Sequence, residues 1–243
     1  MFKNGLDRNR IKYIALIAML IDHFAMFFLS HSIAQASVSR IALYSFMRVI
    51  GRLTAPIMLY FLVEGFIHTS SRKKYGVRLF AFGVISQIPY ALANHNSLLT
   101  FDLNMIFTLF VTFLMLLAQE RSEERPQLRI VVFLLIMSTF CCDWGVLGPF
   151  MAWLFYRFRD DKDKQIKYYC MICAIQVVSA AVFLASNGKH WYGELWQAGM
   201  FMMIPFIRSY NGKPGNKSSF NKWVFYIFYP LHLLIIWVIK YKI

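Results

Sequence analysis

The chain has 243 residues, of which 58% are apolar and 18% aromatic, and its mean hydropathy is +0.49. Only 16% of the residues are charged, against roughly a quarter in soluble domains, which excludes an ordinary soluble protein. The net charge of +14 comes from short basic clusters between apolar runs. That distribution is typical of membrane proteins and argues against nucleic-acid binding.

Apolar stretches long enough to cross a bilayer recur along the whole sequence, which predicts an all-α polytopic membrane bundle in one domain, residues 1–243. We place about nine transmembrane helices, near residues 11–30, 49–68, 77–95, 98–118, 128–142, 144–158, 166–186, 193–208 and 222–239. The fifth and sixth are short and flank Asp143-Trp144-Gly145. Eight to ten spans are therefore compatible with the pattern.

The basic residues predict the orientation of the bundle. With the N-terminus in the cytoplasm, 20 of the 26 Lys and Arg residues fall on the cytoplasmic side. Membrane proteins keep their short basic loops on that side, so we expect a cytoplasmic N-terminus and, with nine spans, an external C-terminus.

The first apolar run has two possible interpretations. Ala34-Gln35-Ala36 resembles a signal-peptidase site after a basic start. The run over residues 14–31 is longer than a normal signal-peptide core, however, and it contains Asp22 and His23. We therefore interpret it as a retained membrane helix.

The cysteines give no sign of metal or redox chemistry. Cys141 and Cys142 are adjacent, whereas Cys170 and Cys173 form a CxxC inside an apolar helix with no second pair nearby. Structural zinc sites need four suitably spaced ligands. No metal site is predicted.

Several ionisable residues lie inside predicted spans, and Asp22 and His23 stand out among them. A charged group near the bilayer centre costs at least ~2.5–3.5 kcal/mol, so such groups normally face the protein interior and form pairs or perform chemistry. At a rise of 1.5 Å per residue, His23 lies roughly 15–18 Å from the inner end of its helix. His232 lies at a similar depth in the last span, as a shared site would require.

Adjacent residues leave a helix about 100° apart, so Asp22 and His23 cannot easily bond to each other. We expect Asp22 to pair with Arg52 on the second span and His23 to face a polar chamber. A neutral imidazole there could accept a proton, as a general base must. The alternative is that Asp22 and His23 only form interhelical hydrogen bonds.

Several short motifs follow one another along nearly the whole chain. In order they are residues 12–15 (KYIA), 19–23 (MLIDH), 51–52 with Pro56, 64–66 with Thr69, 74–75, 78–79, 85–86, 89–90, Asn104 with 107–109, Asp143 with Gly145, 210–215 and 228–233 (FYPLHL). Together they resemble the TraX family of membrane proteins, known for N-acetylation of a conjugative pilin. Trp144 departs from the tyrosine expected there, and a glycine expected after Leu109 is missing.

The resemblance implies a multi-pass acetyltransferase of the bacterial cytoplasmic membrane, linked to conjugation, with acetyl-CoA as donor. His23 would deprotonate an amine or hydroxyl acceptor, which attacks the thioester carbonyl. Arg52 or Asn104 would stabilise the oxyanion, and Asp22 would hold Arg52. His232 is the competing base. The acceptor would be a pilin N-terminus or an envelope component presented by the membrane.

The donor would be bound from the cytosol. Lys74, Arg78 and Lys213 could receive the phosphates of coenzyme A, and Lys213 belongs to a glycine-rich turn that could equally be a plain turn. Glu64 either reaches the membrane interface or belongs to the site, and we group it with the donor-binding residues.

Two other classes of function remain open. A proton-coupled transporter could use Asp22, His23 and Glu64 as a relay. Transporters are often built from internal repeats, and the sequence shows none. A non-catalytic pilus or envelope assembly factor would need fewer buried ionisable groups. Binding of acetyl-CoA separates the enzyme from both alternatives.

Overall fold

The computed structural model describes residues 5–30, 36–216 and 218–243. Residues 34 and 35 of the signal-peptidase-like motif lie outside these ranges, as do Lys3 and Lys217. Ten α-helices are described: α1 Arg8–Phe24, α2 Val38–Gly51, α3 Thr54–His68, α4 Arg72–His95, α5 Met105–Arg121, α6 Leu128–Ser138, α7 Leu147–Arg157, α8 Lys162–Ser186, α9 Ile204–Ser209 and α10 Ser219–Tyr241. A π-helical turn, Ala25–Leu29, extends α1, and 3₁₀ segments cover Thr139–Cys141 and Trp191–Met203. The all-α prediction is confirmed over the described residues.

Short polar residues set the starts of the long helices. The side chains of Asp7, Ser71, Asn104 and Asp161 each accept a hydrogen bond from a backbone N–H in the first turn of α1, α4, α5 and α8. Such caps satisfy amides that have no partner within the helix. The hydrogen bonds from the backbone and side chain of Lys164 hold the pKa of Asp161 below its usual value.

Five segments of the described chain are long and apolar enough to cross a membrane: Arg8–Leu29, Val38–His68, Arg72–His95, Lys162–Ser186 and Trp223–Tyr241. The other four predicted spans coincide with shorter elements, namely α5, α6, α7 and the 3₁₀ segment with α9. The structure therefore supports a multi-pass membrane protein, while the count of about nine spans is not confirmed.

The second span differs most from its prediction. It was placed at residues 49–68, whereas the helical segment begins at Val38 and runs to His68. A turn at Arg52 and Leu53 divides it into α2 and α3. Arg40 and Arg48 lower the mean hydropathy of the first half, so most of α2 fell outside the predicted span. Pro56 lies in the first turn of α3, just after this break.

The described chain forms two compact units, and each is described separately; the expectation of a single domain stays a prediction. Unit 1 comprises residues 1–58 and 158–221, and unit 2 comprises residues 59–157 and 222–243. In unit 1, the backbone of Leu6 bonds to Ser209 and Asn211. The Tyr169 hydroxyl donates to the Met200 carbonyl at 2.7 Å, which joins α8 to the second 3₁₀ segment.

In unit 2, Arg72 at the start of α4 pairs with Glu120 at the end of α5, so these helices are antiparallel. The Phe82 ring on α4 lies 4.9 Å from the Tyr226 ring, between ring centres, near the start of α10. The indole of Trp237, near the end of α10, donates to Asn96 just after α4, at 2.9 Å. Helices α4 and α10 therefore run in the same direction, as the predicted topology also has them.

Candidate functional site

The carboxylate of Asp22 on α1 is held by two arginines in unit 1. Arg48 Nη1 donates to Asp22 Oδ1 at 2.7 Å, and Arg52 Nη2 donates to Oδ2 at 3.3 Å. The side chains are 8% (Arg48), 14% (Arg52) and 10% (Asp22) exposed. The predicted pairing of Asp22 with Arg52 is confirmed. One carboxylate between two guanidinium groups leaves this triad with an excess positive charge.

Trp196, in the second 3₁₀ segment, covers both guanidinium groups. The Cζ atoms of Arg48 and Arg52 lie 4.3 and 4.7 Å from the centre of its indole ring. A cation over an aromatic face at this distance is attracted by the ring, by about 0.5–2 kcal/mol. Trp196 therefore fixes the orientation of both arginines against Asp22.

Two glycines provide the space for this arrangement. A Cβ at Gly51 would overlap the Asp22 carboxylate, and a Cβ at Gly199 would overlap the backbone carbonyl of Val49. The first lets α1 approach the end of α2, and the second lets the 3₁₀ segment with Trp196 approach α2. Both close approaches require glycine.

Gly51→Ala is expected to destabilise the protein by about 1–3 kcal/mol, the usual cost of overpacking, because the methyl group displaces the Asp22 carboxylate from its arginines. Unfolding by SDS titration in mixed micelles measures this difference. The control is Gly193→Ala, whose Cβ would lie 3.4 Å from Leu184 Cδ1 in ordinary contact. Equal stability of the two variants would contradict the close approach at Gly51.

His23 follows Asp22 in the sequence, and its side chain is half-buried. Its ring lies edge-on to that of Phe27, with the ring centres 5.9 Å apart. The π-helical turn Ala25–Leu29 begins two residues later. Turns of this kind interrupt α-helices frequently at functional sites, where they re-aim side chains. The predicted polar surroundings of His23 remain a prediction.

His232 is buried in unit 2, with Nδ1 2.8 Å from the Phe228 carbonyl and its ring stacked on that of Phe228. In the neutral ring Nδ1 therefore carries the hydrogen, which leaves the lone pair on Nε2. His232 keeps the chemical capacity of a base. His23 and His232 belong to different units.

Asn104 is fully buried in unit 2, and its amide is used for structure. Its Nδ2 donates to the Gly83 carbonyl and to Gln87 Oε1, both at 2.8 Å, while Oδ1 caps the Ile106 amide. Both amide hydrogens are taken, so an oxyanion would have to displace one of these bonds. Of the two residues predicted for that role, Arg52 is favoured.

Asn104→Ala is expected to cost about 2–4 kcal/mol, because a helix cap is lost and buried acceptors are left without donors. The change is measured by the same SDS titration. Asn94→Ala is the matched control, since within the described part of the chain its side chain donates to the carbonyl of Tyr90 in its own helix. A loss no larger than that of the control would show that the Asn104 network is dispensable.

The residues predicted to bind the donor belong to both units, and each is described within its own unit. In unit 2, Lys74 is exposed on the first turn of α4, and Arg78, one turn later, lies over the Tyr75 ring at 5.6 Å. Glu64 Oε2 lies 3.8 Å from His68 Nε2 on the same helix, α3. Lys213 belongs to unit 1 and is exposed.

The glycine-rich turn at residues 210–215 has a structural partner. The Lys213 carbonyl accepts from the Arg8 amide at 2.9 Å, and Lys162 Nζ donates to the Tyr210 carbonyl at 3.0 Å. Gly212 and Gly215 have φ of +75° and +76°, a conformation that favours glycine. The turn thus packs on the start of α1 while the Lys213 side chain stays exposed.

Arg48 and Trp196 are the residues that sequence reasoning missed. Arg48 and Arg52 are four residues apart, and this spacing in an apolar helix places them on one face. The spacing of the two arginines was visible in the sequence, but the predicted second span began at residue 49 and so excluded Arg48. Trp196 gave no signal, because one aromatic residue in an apolar run is ordinary.

The described residues contain no group of three or more His, Cys, Asp or Glu side chains that could hold a metal ion. The four cysteines are free thiols. Burial raises the pKa of Cys142 to about 11, so this thiol stays protonated and poorly reactive at neutral pH.

The comparisons with known proteins agree with this architecture. The family model described as TraX protein matches residues 7–240. The chain belongs to the TraX family. All nine residues predicted for the site lie within the matched TraX segment. Together with the five described segments that are long and apolar enough to cross a membrane, the match supports a multi-pass membrane protein.

A curated relative agrees with the family match. The chain is 29% identical to the "Probable fimbrial assembly protein FimC, serogroup H1" of Dichelobacter nodosus, and the alignment covers 93% of each chain. No solved structure matches the chain. The likeness therefore extends over most of the length of both chains.

Proposed function

We propose that this TraX-family protein is an acetyltransferase of the bacterial cytoplasmic membrane that moves an acetyl group from acetyl-CoA to a pilin or another envelope component. The observation that carries the proposal is the buried Asp22–Arg48–Arg52 triad, whose Asp22 directly precedes His23 on α1. Buried charge of this kind is expensive in a membrane and is retained mainly for function.

The chemistry assigned to the site is an acyl transfer. His23 takes a proton from the acceptor amine or hydroxyl as that group attacks the thioester carbonyl, and the proton then passes to the departing coenzyme A thiolate. The excess positive charge of Arg48 and Arg52 suits stabilisation of the oxyanion that forms between these steps. Asp22 and Trp196 act as positioning residues, because they orient both guanidinium groups.

The donor acetyl-CoA enters from the cytosol, whereas the acceptor reaches the site from the membrane. Lys74 and Arg78 offer cationic groups to coenzyme A phosphates at the predicted cytoplasmic end of α4. Lys213 and Glu64 keep the donor-binding roles predicted for them from the sequence. The acceptor is presented by the membrane. The fimbrial assembly name of the relative supports pilin as the first acceptor to test.

The proposal is tested in cells by comparing pilin from the parent strain, a strain lacking this protein and the complemented strain. Intact-mass spectrometry of pilin and of extracted envelope polymers is expected to show an acetyl group that disappears with the protein and returns on complementation. Unchanged masses of all these components would overturn the proposal.

The relative's name also favours a second candidate, a non-catalytic fimbrial assembly factor. Such a factor would change the amount of assembled pilus and leave pilin and envelope masses unchanged. It would also bind no acetyl-CoA. The same three strains therefore distinguish the two functions when pilus number and pilin mass are recorded together.

A further inference from the structure

The loop between α4 and α5, residues 96–103, presents unusually exposed apolar side chains. Leu98, Leu99 and Phe101 are 66%, 91% and 96% exposed. They occur within four residues of each other, outside the membrane-spanning helices. A single exposed leucine needs no explanation, whereas a contiguous apolar patch marks an interaction surface.

Polar contacts hold this loop in place. His95 Nε2 lies 3.1 Å from Asp102 Oδ2 across its base, and Gln87 Nε2 donates to the Asp102 carbonyl at 2.7 Å. Within the loop, the Leu99 amide donates to Ser97 Oγ at 3.2 Å. These bonds order the loop against α4, while the side chains of Leu98, Leu99 and Phe101 stay exposed.

The neighbouring end of α10 has the composition of a membrane interface. Trp237 donates to Asn96 Oδ1 at 2.9 Å, and Lys242 Nζ lies 5.3 Å from the centre of the Trp237 ring. Tryptophan and lysine are enriched where a membrane helix leaves the hydrocarbon. The loop thus begins at the level where two membrane-spanning segments, Arg72–His95 and Trp223–Tyr241, end.

We propose that residues 96–103 form an interfacial anchor, in which Leu98, Leu99 and Phe101 insert into the lipid headgroup region on the side of the bilayer where α4 ends. Apolar side chains on a polar, ordered support bind the interface in proportion to the apolar area they bury, at a depth of about 5–10 Å. The anchor holds α4, α5 and α10 at a fixed depth at that end of unit 2.

The test uses the full-length protein with its four cysteines replaced by alanine and one new cysteine, Leu99→Cys or Phe101→Cys, labelled with bimane. The Leu99 and Phe101 side chains are nearly fully exposed, so the fold does not depend on these two. Lys189→Cys is the control, because Lys189 is an exposed polar residue in the loop after α8. The proteins are reconstituted in phosphatidylethanolamine–phosphatidylglycerol vesicles with or without a headgroup nitroxide lipid.

We expect the nitroxide lipid to quench bimane at positions 99 and 101 strongly, with weak quenching by aqueous iodide. The control at position 189 is expected to show the reverse. Iodide quenching at 99 and 101 equal to the control would overturn the anchor. Protection from both quenchers would also overturn it, because a second copy or a protein partner would then cover the loop.

Discussion

Asp22→Asn is expected to lower the free energy of unfolding by about 3–5 kcal/mol, because it leaves two buried guanidinium groups without their carboxylate. Arg48 and Arg52 both donate to Asp22, and all three side chains are at most 14% exposed. When one partner of a buried ion pair is removed, the other charge stays buried without the interaction that compensated its loss of hydration. SDS titration in mixed micelles measures the change.

A double variant separates charge imbalance from simple loss of packing. Asp22→Asn combined with Arg48→Met removes one of the uncompensated charges, and it is expected to recover part of the stability lost in the single variant. Asp160→Asn is the surface control, since the Asp160 side chain is 90% exposed beside Arg159. Its effect should stay within about 0.5 kcal/mol. Parent-like stability of Asp22→Asn would show that the triad contributes nothing to the fold.

His23→Ala is expected to reduce the rate of acetyl transfer by about 10²–10⁴-fold, the usual contribution of a general base. Because His23 is assigned to proton transfer and not to donor binding, the affinity for acetyl-CoA should change little. The measurement is the initial rate with labelled acetyl-CoA in vesicles, together with donor binding by equilibrium dialysis. His23→Gln, which keeps much of the side-chain volume, should show the same loss.

Two histidines serve as comparisons for this variant. His190→Ala changes an exposed ring that stacks on Tyr192, and its rate is expected to equal that of the parent. His232→Ala is the informative one, since His232 is the competing base. If His232→Ala loses the activity and His23→Ala keeps it, the assignment of the base to His23 is wrong.

The pairing of Asp22 was predictable because a buried carboxylate needs a cation and the nearby membrane segments offer few of them. Arg52 was therefore found from the sequence alone. Arg48 was missed although it donates the shorter hydrogen bond, at 2.7 Å. Hydropathy placed the start of the second span one residue after it, so residues 38–48 of α2 fell outside the predicted spans.

The helical class was predictable from composition, but the number of spans was not. An apolar run gives the same hydropathy whether its backbone is α-helical or 3₁₀, so residues 193–203 of the second 3₁₀ segment were counted as part of the span at 193–208. Similarly, Asn104 ends an apolar loop by capping α5, which delays the helix start to Met105. These features depend on side-chain hydrogen bonds that hydropathy does not contain.

Purified protein in vesicles, supplied with radiolabelled acetyl-CoA and pilin, measures the proposed activity most directly. We predict a time-dependent appearance of label on pilin, together with release of free coenzyme A, in vesicles that contain the parent protein and not in empty ones. Absence of both label transfer and acetyl-CoA binding, with a protein that restores pili in cells, would contradict the acetyltransferase and leave an assembly factor.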